Sequence, residues 1–188
     1  MKKSANNFFD IIIRYFILIL VALPNLYIFY AIFTPITLYL VYFLFWIFFE
    51  PTIFGNIIFV KFFKIELIGA CVAGAAYYLL FILNLSTPGI KPNKRIKMIL
   101  FSFLTFLIIN VLRIFLLSLM FFSGSSLFDI THQVFWYLGS TLFVVLIWFA
   151  EVKLFRIKEI PFYSDLKYLL KKSKLIKKTN KSKRPKKN

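Results

Sequence analysis

The sequence is poor in the two residues that most often carry metal and redox chemistry. It has one cysteine, Cys71, and one histidine, His132, among 188 residues. A single cysteine excludes a disulfide within the chain. One Cys and one His also make a poor ligand set for zinc, so we expect no metal, and nothing in the sequence indicates another cofactor.

Acidic residues are scarce as well. Seven Asp and Glu stand against 24 Lys and Arg, which gives a net charge of +17. Such an excess often marks a nucleic-acid-binding protein, but 14 of the 24 cations lie from Lys153 onward. They form a tail rather than one face of a folded domain. Because no aromatic residues interleave with these lysines and no nucleic-acid motif accompanies them, we expect no nucleic-acid partner.

Apolar residues, in contrast, are abundant. Hydrophobic residues make up 61% of the chain and aromatic residues 21%, with 26 phenylalanines and a mean hydropathy of +0.82. A soluble domain is nearer half apolar. The N-terminal apolar region is too long for a cleavable signal peptide, and no small-residue cleavage site ends it. The composition therefore predicts an all-α, polytopic integral membrane helix bundle in the cell membrane.

Hydrophobic runs predict about five or six transmembrane helices. The first run is interrupted by Pro24-Asn25, and the second follows Pro35. Residues 55–67 contain lysines and partly alternate, which favours a short interfacial strand-like element, possibly a hairpin, before the third span. The predicted spans are 8–33, 36–49, 67–86, 98–122 and 132–150.

The distribution of cations predicts the orientation. Loop 87–97 carries four cations and the tail 153–188 carries most of the others. Cytoplasmic segments hold the excess of Lys and Arg, so both are predicted inside and loop 123–131 outside. Counting spans backward places the N-terminus outside, although Lys2 and Lys3 favour the opposite. The chain is predicted to divide into a transmembrane domain, 1–152, and a basic cytoplasmic tail, 153–188.

The tail has two parts. Phe162, Leu166, Leu169 and Leu170 recur at helical spacing among lysines. This pattern is typical of an amphipathic helix that lies on a membrane surface, with anionic lipids as its partners. The last ten residues, 179–188, are predicted to be disordered.

A buried cation marks the region of greatest functional interest. Arg113 lies in the middle of the apolar run IINVLRIFL, at 108–116, with Asn110 one turn before it on the same helix face. An arginine at the centre of a bilayer costs roughly 2.5–3.5 kcal/mol on insertion scales. Counted at about 1.5 Å per residue from the cytoplasmic ends of their spans, Arg113, Cys71 and His132 lie about 27, 24 and 32 Å up. All three thus fall at similar depth near the outer face.

A shared height gives these residues a common chemical use. A thiol becomes a strong nucleophile when an imidazole or a cation favours its thiolate form. An arginine beside it can also bind the oxyanion of an acyl-transfer intermediate. We therefore expect Arg113 to face Cys71, with Asn110 as a supporting residue.

Each residue also has a reading without catalysis. Cys71 can be a small apolar packing residue, His132 an interfacial residue at a helix start, and Arg113 a side chain that reaches to the lipid headgroups. Asp129, a second supporting candidate, either orients the imidazole of His132 or caps the start of the fifth span. Far from this region, Asp10 and Arg14 are one turn apart and are expected to pair.

Three segments stand out: ACVAGAAYYLL at 70–80, NVLRI at 110–114 and FDITHQVFWYLG at 128–139. Together they resemble the exosortase/archaeosortase family, most closely its short archaeal members, over roughly residues 35–150. Larger members have about eight spans and often CSG at the nucleophile, where this chain has CVAG. Family members are regarded as membrane-embedded cysteine transpeptidases. Their substrates are surface proteins that end in a short motif, a transmembrane helix and a basic cluster.

The resemblance implies that Cys71 is the nucleophile, Arg113 the charge stabiliser and His132 the general base and acid. It implies cleavage of C-terminal sorting signals through a thioester at the outer membrane face, and transfer of the product to an acceptor such as a lipid amine. Hydrolysis by water is the other outcome. The alternative is a non-enzymatic transporter or assembly factor, in which Arg113 and Asn110 line a polar cavity and Cys71 is packing.

Overall fold

A computed structural model describes residues 2–23 and 25–182, with side chains for 8–23 and 25–172. It is mostly helical and has one small sheet. The helices are α1 (Lys2–Ala22), α2 (Tyr27–Phe48), α3 (Gly69–Val72), α4 (Gly74–Leu85), α5 (Pro92–Phe122), α6 (Phe128–Val134), α7 (Ser140–Leu154) and α8 (Tyr163–Ser182), and the strands are β1 (Thr52–Phe54), β2 (Ile57–Val60) and β3 (Phe63–Glu66).

Three helical segments of the described residues are long and apolar enough to cross a membrane. They are Tyr27–Phe48, Pro92–Phe122 and Phe128–Leu154, the last of which joins α6 to α7. Gly69–Leu85 is also apolar but shorter. These three segments indicate a membrane protein. They are fewer than the five or six transmembrane helices that the sequence predicted.

The first helix break lies where Pro24-Asn25 predicted it, but the second predicted boundary is wrong. Asn25 and Leu26 adopt left-handed backbone angles, with φ of 49° and 60°, which end the helical path between α1 and α2. Pro35 instead lies inside α2. A proline within an apolar helix removes one backbone hydrogen bond, and packing against neighbouring helices makes this tolerable.

The strand-like element is a three-stranded antiparallel sheet, so the all-α class needs this correction. Its order is β1-β2-β3, with Thr52 opposite Phe59 and Ile57 opposite Glu66. The alternating pattern at 55–67 predicted the β2–β3 hairpin. It did not predict β1, which is only three residues long and lies outside that pattern. The chain leaves β3 at Glu66 and enters α3 three residues later, so the sheet borders the segment that carries Cys71.

The predicted third span is not one helix. Its first turn is α3, and Ala73 then takes a left-handed conformation with φ of 57° before α4 begins at Gly74. A Cβ on Gly74 would lie 2.7 Å from the ring of Tyr30, so only glycine allows this ring to pack on the break. The small residues of this segment therefore permit both the close contact with α2 and the change of direction.

Helix α5 starts earlier than predicted, at Pro92, because proline is well suited to the first helical position. It ends at Phe122, where Gly124 has a φ of 63°. The next helix also starts earlier than predicted, at Phe128, so His132 lies one turn inside α6 rather than at a helix start. A π-helical turn, Phe135–Gly139, connects α6 to α7.

An aromatic core holds α2, α4 and α5 together. Tyr77 of α4 stacks on Phe33 of α2 and meets Phe103 and Phe106 of α5 edge-on. Tyr77 and Phe106 are fully buried. Rigid rings with large apolar faces fix how helices approach one another, and here they fix the α3–α4 break against α5.

The tail helix packs against the bundle through a buried ion pair that the sequence did not predict. Asp165 of α8 lies 2.9 Å from Arg14 of α1, and both side chains are 5% exposed. Arg14 also donates to the carbonyl of Leu85, and it makes the predicted pair with Asp10 at 3.1 Å. Helix α8 includes residues 179–182, which were predicted to be disordered; 183–188 lie outside the described residues.

The N-terminal half of α1 lies at the same end of the bundle as α8. The ammonium of Lys172 lies 4.3 Å from the ring centroid of Phe8, and Arg14 reaches both Asp165 and the last residue of α4. This packing does not fit the predicted N-terminus on the side opposite the tail. The predicted orientation rested only on the distribution of Lys and Arg, which carries no information on contacts between the first helix and the last.

Candidate active site

Cys71, Arg113 and His132 line one cavity of about 460 Å³. They come from three different helices, α3, α5 and α6. The cavity lies at the end of α5 that is remote from Pro92 and α8. Its other lining residues are mainly apolar and come from α2, β3, α3, α4, α5, α6, the π-helical turn and α7.

Cys71 lies at the end of a short helix rather than inside a long one. Its side chain is half-buried and free of any disulfide. Because α3 ends at Val72, the carbonyl groups of Cys71 and Val72 belong to a last turn, where carbonyls lack helical partners. The left-handed Ala73 then turns the chain away and leaves these two carbonyls facing α5.

Asn110 binds these carbonyl groups. It is 1% exposed, and its Nδ2 donates to the oxygen of Cys71 at 2.9 Å and to that of Val72 at 3.4 Å. The predicted supporting residue thus contacts the backbone of the candidate nucleophile. In the described part of the chain, its Oδ1 is buried without a hydrogen-bond partner.

Arg113 faces Cys71, as predicted, but its hydrogen bond is to the backbone and not to the sulfur. Its Nη2 donates to the carbonyl of Cys71 at 3.1 Å, and its Nη1 donates to Oγ of Ser140 at 3.3 Å. The guanidinium points into the bundle, so the alternative of an arginine that reaches outward to the headgroups does not describe it.

The Nε of Arg113 is different from its other nitrogens. It is buried and has no hydrogen-bond partner among the described residues. An N–H group left without an acceptor in an apolar site is costly.

His132 is held by aromatic rings. Its imidazole stacks on Phe128 with centroids 5.4 Å apart and meets Trp136 edge-on at 5.8 Å. The imidazole lines the cavity and makes no hydrogen bond to the described residues. Asp129 is exposed, contacts neither His132 nor the helix start through a hydrogen bond, and supports neither predicted role. The reason is that α6 begins at Phe128 and directs Asp129 away from the bundle.

Tyr30 and Ser140 also line the cavity, although the sequence did not single them out. Ser140 is the second acceptor for Arg113, and Tyr30 packs over the helix break. Lys64 and Glu66 of β3 form an ion pair at 3.4 Å and also line the cavity. The segment YLGST, in which a glycine and a serine interrupt apolar residues, was the available signal for Ser140.

No family model, curated protein or solved structure matches this chain. The kinship with the exosortase/archaeosortase family therefore stays a resemblance, carried by the three quoted segments. What the site can do must be argued from its own residues.

Proposed function

We propose that this protein is a membrane-embedded cysteine peptidase or transpeptidase of the exosortase/archaeosortase kind. The observation that carries the proposal is the convergence of Cys71, Arg113 and His132 on one cavity. The only cysteine, the only histidine and the one mid-span arginine of α5 come from separate segments. Packing alone gives no reason for these three side chains to meet.

In the proposed reaction Cys71 attacks a peptide carbonyl next to the substrate's transmembrane helix. Its thiol proton passes to His132, and a C–S bond forms as the carbonyl becomes an oxyanion. His132 then gives the proton to the departing amine, the C–N bond breaks and a thioester remains. An imidazole with both nitrogens free of protein partners suits this double proton transfer.

Arg113 is the proposed oxyanion stabiliser. Two of its nitrogens are fixed by the Cys71 carbonyl and by Ser140, which orient the guanidinium plane. The side chain lines the cavity, and we assign to the oxyanion the N–H groups of the two terminal nitrogens that the Cys71 carbonyl and Ser140 leave free. Preorganised donors of this kind stabilise charge without having to move when the charge forms.

An external nucleophile resolves the thioester. An amine, such as that of a lipid headgroup, gives transfer, and water gives hydrolysis. The proposed substrates are surface proteins that end in a short motif, a transmembrane helix and a basic cluster. The mainly apolar lining of the cavity suits a peptide segment adjoining such a helix.

We propose four membrane crossings, by α2, by α3 with α4, by α5, and by α6 with α7. The first helix, α1, then stays at the cytoplasmic surface beside α8, which agrees with Lys2 and Lys3 inside. Phe162, which precedes α8, and Leu166 and Leu170 within α8 are exposed, whereas Asp165 faces the bundle. The exposed residues give α8 an apolar face that can contact the inner leaflet and its anionic lipids. With the tail on the cytoplasmic side, the cavity at the other end of the bundle faces outward.

One observation favours the rival proposal, a transporter. Helices broken within the membrane, whose free backbone groups line a cavity, are typical of transporter binding sites. The break at Ala73 with its two carbonyls fits that description. A transporter, however, needs no reactive thiol at Cys71.

The decisive experiment measures thiol reactivity and processing together. Cys71→Ser and Cys71→Ala are expected to insert normally and to abolish processing of a co-expressed substrate, since a serine hydroxyl has no strong base here. The matched control is Cys71→Ala with Ala75→Cys, which puts a thiol in the same cavity on α4. We expect that thiol to be alkylated more slowly than Cys71. Processing by Cys71→Ala would exclude the cysteine mechanism.

A further inference from the structure

A second buried polar cluster lies at the opposite end of the bundle from the cavity. Glu151 of α7 is 0% exposed, as are Asn84 of α4 and Ser102 of α5. Asn84 Nδ2 donates to Oε2 of Glu151 at 3.0 Å and lies 3.5 Å from Oγ of Ser102. An ionisable side chain inside a membrane bundle is costly, so its surroundings must explain how it is tolerated.

The hydrogen bonds of this cluster are incomplete in a specific way. Oε1 of Glu151 and Oδ1 of Asn84 are both buried, and neither has a partner among the described residues. Both atoms are oxygens that accept, and they belong to the two groups already joined by the Asn84–Glu151 bond. A hydrogen on Oε1, donated to Oδ1, would satisfy both at once and would close a two-bond acid–amide pair.

Among the residues whose side chains are described, no cation is placed to neutralise Glu151 as a carboxylate. Arg95 of α5 donates to the carbonyls of Asn84, Leu85 and Thr87. Arg14 of α1 pairs with Asp10 and with Asp165 of α8. Within the described residues no Lys or Arg forms an ion pair with Glu151. An unpaired buried carboxylate is far more costly than a neutral acid with its hydrogen bonds made.

We propose that Glu151 is a proton-binding site, a neutral carboxylic acid whose Oε1–H donates to Oδ1 of Asn84. The proton adds a second hydrogen bond between Glu151 of α7 and Asn84 of α4. Ser102 of α5 lies beside the same pair. Helix α7 also begins at Ser140, the residue that holds Arg113. The same helix is therefore fixed at its start by the site and near its end by the proton.

Infrared spectroscopy tests the protonation directly on the full-length protein in detergent at neutral pH. A solvated glutamate, with a pKa near ~4.3, is ionised there. We expect a carbonyl band of a protonated carboxylic acid that shifts in heavy water and is absent from Glu151→Gln. Glu159→Gln, which changes an exposed glutamate, is the matched control and keeps the band. A wild-type protein without this band, or a band that survives in Glu151→Gln, overturns the proposal.

Thermal unfolding gives an independent measure. Glutamine has the shape of the neutral acid and can make both bonds to Asn84, so Glu151→Gln is expected to leave the unfolding midpoint within about 2 °C. Glu151→Leu removes both bonds between residue 151 and Asn84 and leaves Oδ1 of Asn84 buried without a donor, although Nδ2 keeps its bond to the carbonyl of Leu80. We expect this variant to lower the midpoint by about 4 °C or more. If Glu151→Gln lowers it as much as Glu151→Leu, or if sodium ions raise the midpoint of the wild type but not of Glu151→Gln, the two oxygens hold a cation and the proposal is wrong.

Discussion

At the scale of single residues, Arg113 shows how a buried guanidinium is made tolerable. The cost of roughly 2.5–3.5 kcal/mol for an arginine at mid-membrane needs a matching gain. Two acceptors supply part of it: the carbonyl of Cys71 and the hydroxyl of Ser140. The break at Ala73 leaves the Cys71 carbonyl without a helical hydrogen-bond donor. Arg113 supplies that donor, and the carbonyl in turn gives the buried guanidinium an acceptor.

The first prediction separates the charge of Arg113 from its shape. Lysine keeps the charge but loses the planar fork, so Arg113→Lys can no longer hold the carbonyl, the serine and an oxyanion together. We expect it to leave Cys71 comparatively reactive toward a small alkylating reagent and to lose substrate processing by about 10²–10³-fold. The measurements are processing rates and alkylation rates against pH in matched preparations.

Arg113→Leu is the control for this experiment. It removes both charge and donors and is expected to lower alkylation as well as processing, while insertion is at least as efficient. Full processing by Arg113→Lys would exclude the oxyanion role. Identical alkylation profiles in all three proteins would show that the guanidinium does not influence the thiol.

At the scale of elements, the α3–α4 break positions the site. A continuous helix would place its carbonyls within its own hydrogen bonds and would leave Asn110 and Arg113 without their acceptor at Cys71. Ala73 holds a left-handed conformation that an L-residue adopts at a cost of about 1–2 kcal/mol. The bonds from Asn110 and Arg113, together with the packing of Tyr30, are the contacts that keep the break in place.

The second prediction concerns the glycine beneath Tyr30. A Cβ at Gly74 would lie 2.7 Å from the tyrosine ring, so Gly74→Ala must displace it and is expected to destabilise the fold by about 1–3 kcal/mol. Gly69→Ala is the matched control, because its Cβ would lie 3.4 Å from the same ring. Unfolding in detergent measures both. Equal losses in the two variants would mean that the Tyr30 contact does not decide the effect.

At the scale of the whole molecule, the two ends of the chain meet. Arg14 and Asp165 are 151 residues apart and form a buried pair beside the last residue of α4. The part of the basic tail that forms α8 therefore packs on α1 and belongs to the folded bundle. This contact also carries the proposal that α1 and the tail share one side of the membrane.

The third prediction tests how firmly the tail is held. Removing one partner of a buried ion pair typically costs about 3–5 kcal/mol, so Asp165→Asn is expected to release α8. Trypsin should then cleave after Lys167, within α8, at least about tenfold faster than in the wild type. Asp129→Asn removes an exposed carboxylate and should not change the rate. An unchanged rate in Asp165→Asn would mean that other contacts hold the helix.

The fourth prediction tests the four-crossing topology. In a Cys71→Ser background, single cysteines replace Ser125, Asn93 or Asn6, and intact cells are treated with a membrane-impermeant thiol reagent. We expect labelling at Ser125 alone, since loop 87–97 and the tail carry the cations and α1 packs beside the tail. Permeabilised cells, in which all three positions should react, provide the control.

The outcomes of that labelling are distinct. Labelling at Asn6 together with Ser125 would restore the five-span arrangement that the sequence predicted. Labelling at Asn93 but not at Ser125 would invert the orientation and place the cavity on the cytoplasmic side.

The pattern of the sequence was sufficient for the features that depend on local order. Hydropathy predicted the membrane-spanning segments at 98–122 and 132–150 to within a few residues at each start, and the alternation at 55–67 predicted the hairpin. Counting residues along three helices predicted that Cys71, Arg113 and His132 meet. The structure brings the three residues to one cavity, whereas their depth in a membrane stays a prediction. The count rests on the nearly constant rise of a helix, which converts position in sequence into height.

Only the tertiary structure decided which atoms meet. That Arg113 holds the carbonyl of Cys71, that Arg14 meets Asp165, and that Glu151 meets Asn84 depends on how helices far apart in sequence pack. Side-chain periodicity reports which face of a helix is apolar, but not which helix covers it. The break at Ala73 was equally hidden, because alanine has no preference for a left-handed turn and adopts one here only where neighbouring side chains stabilise it.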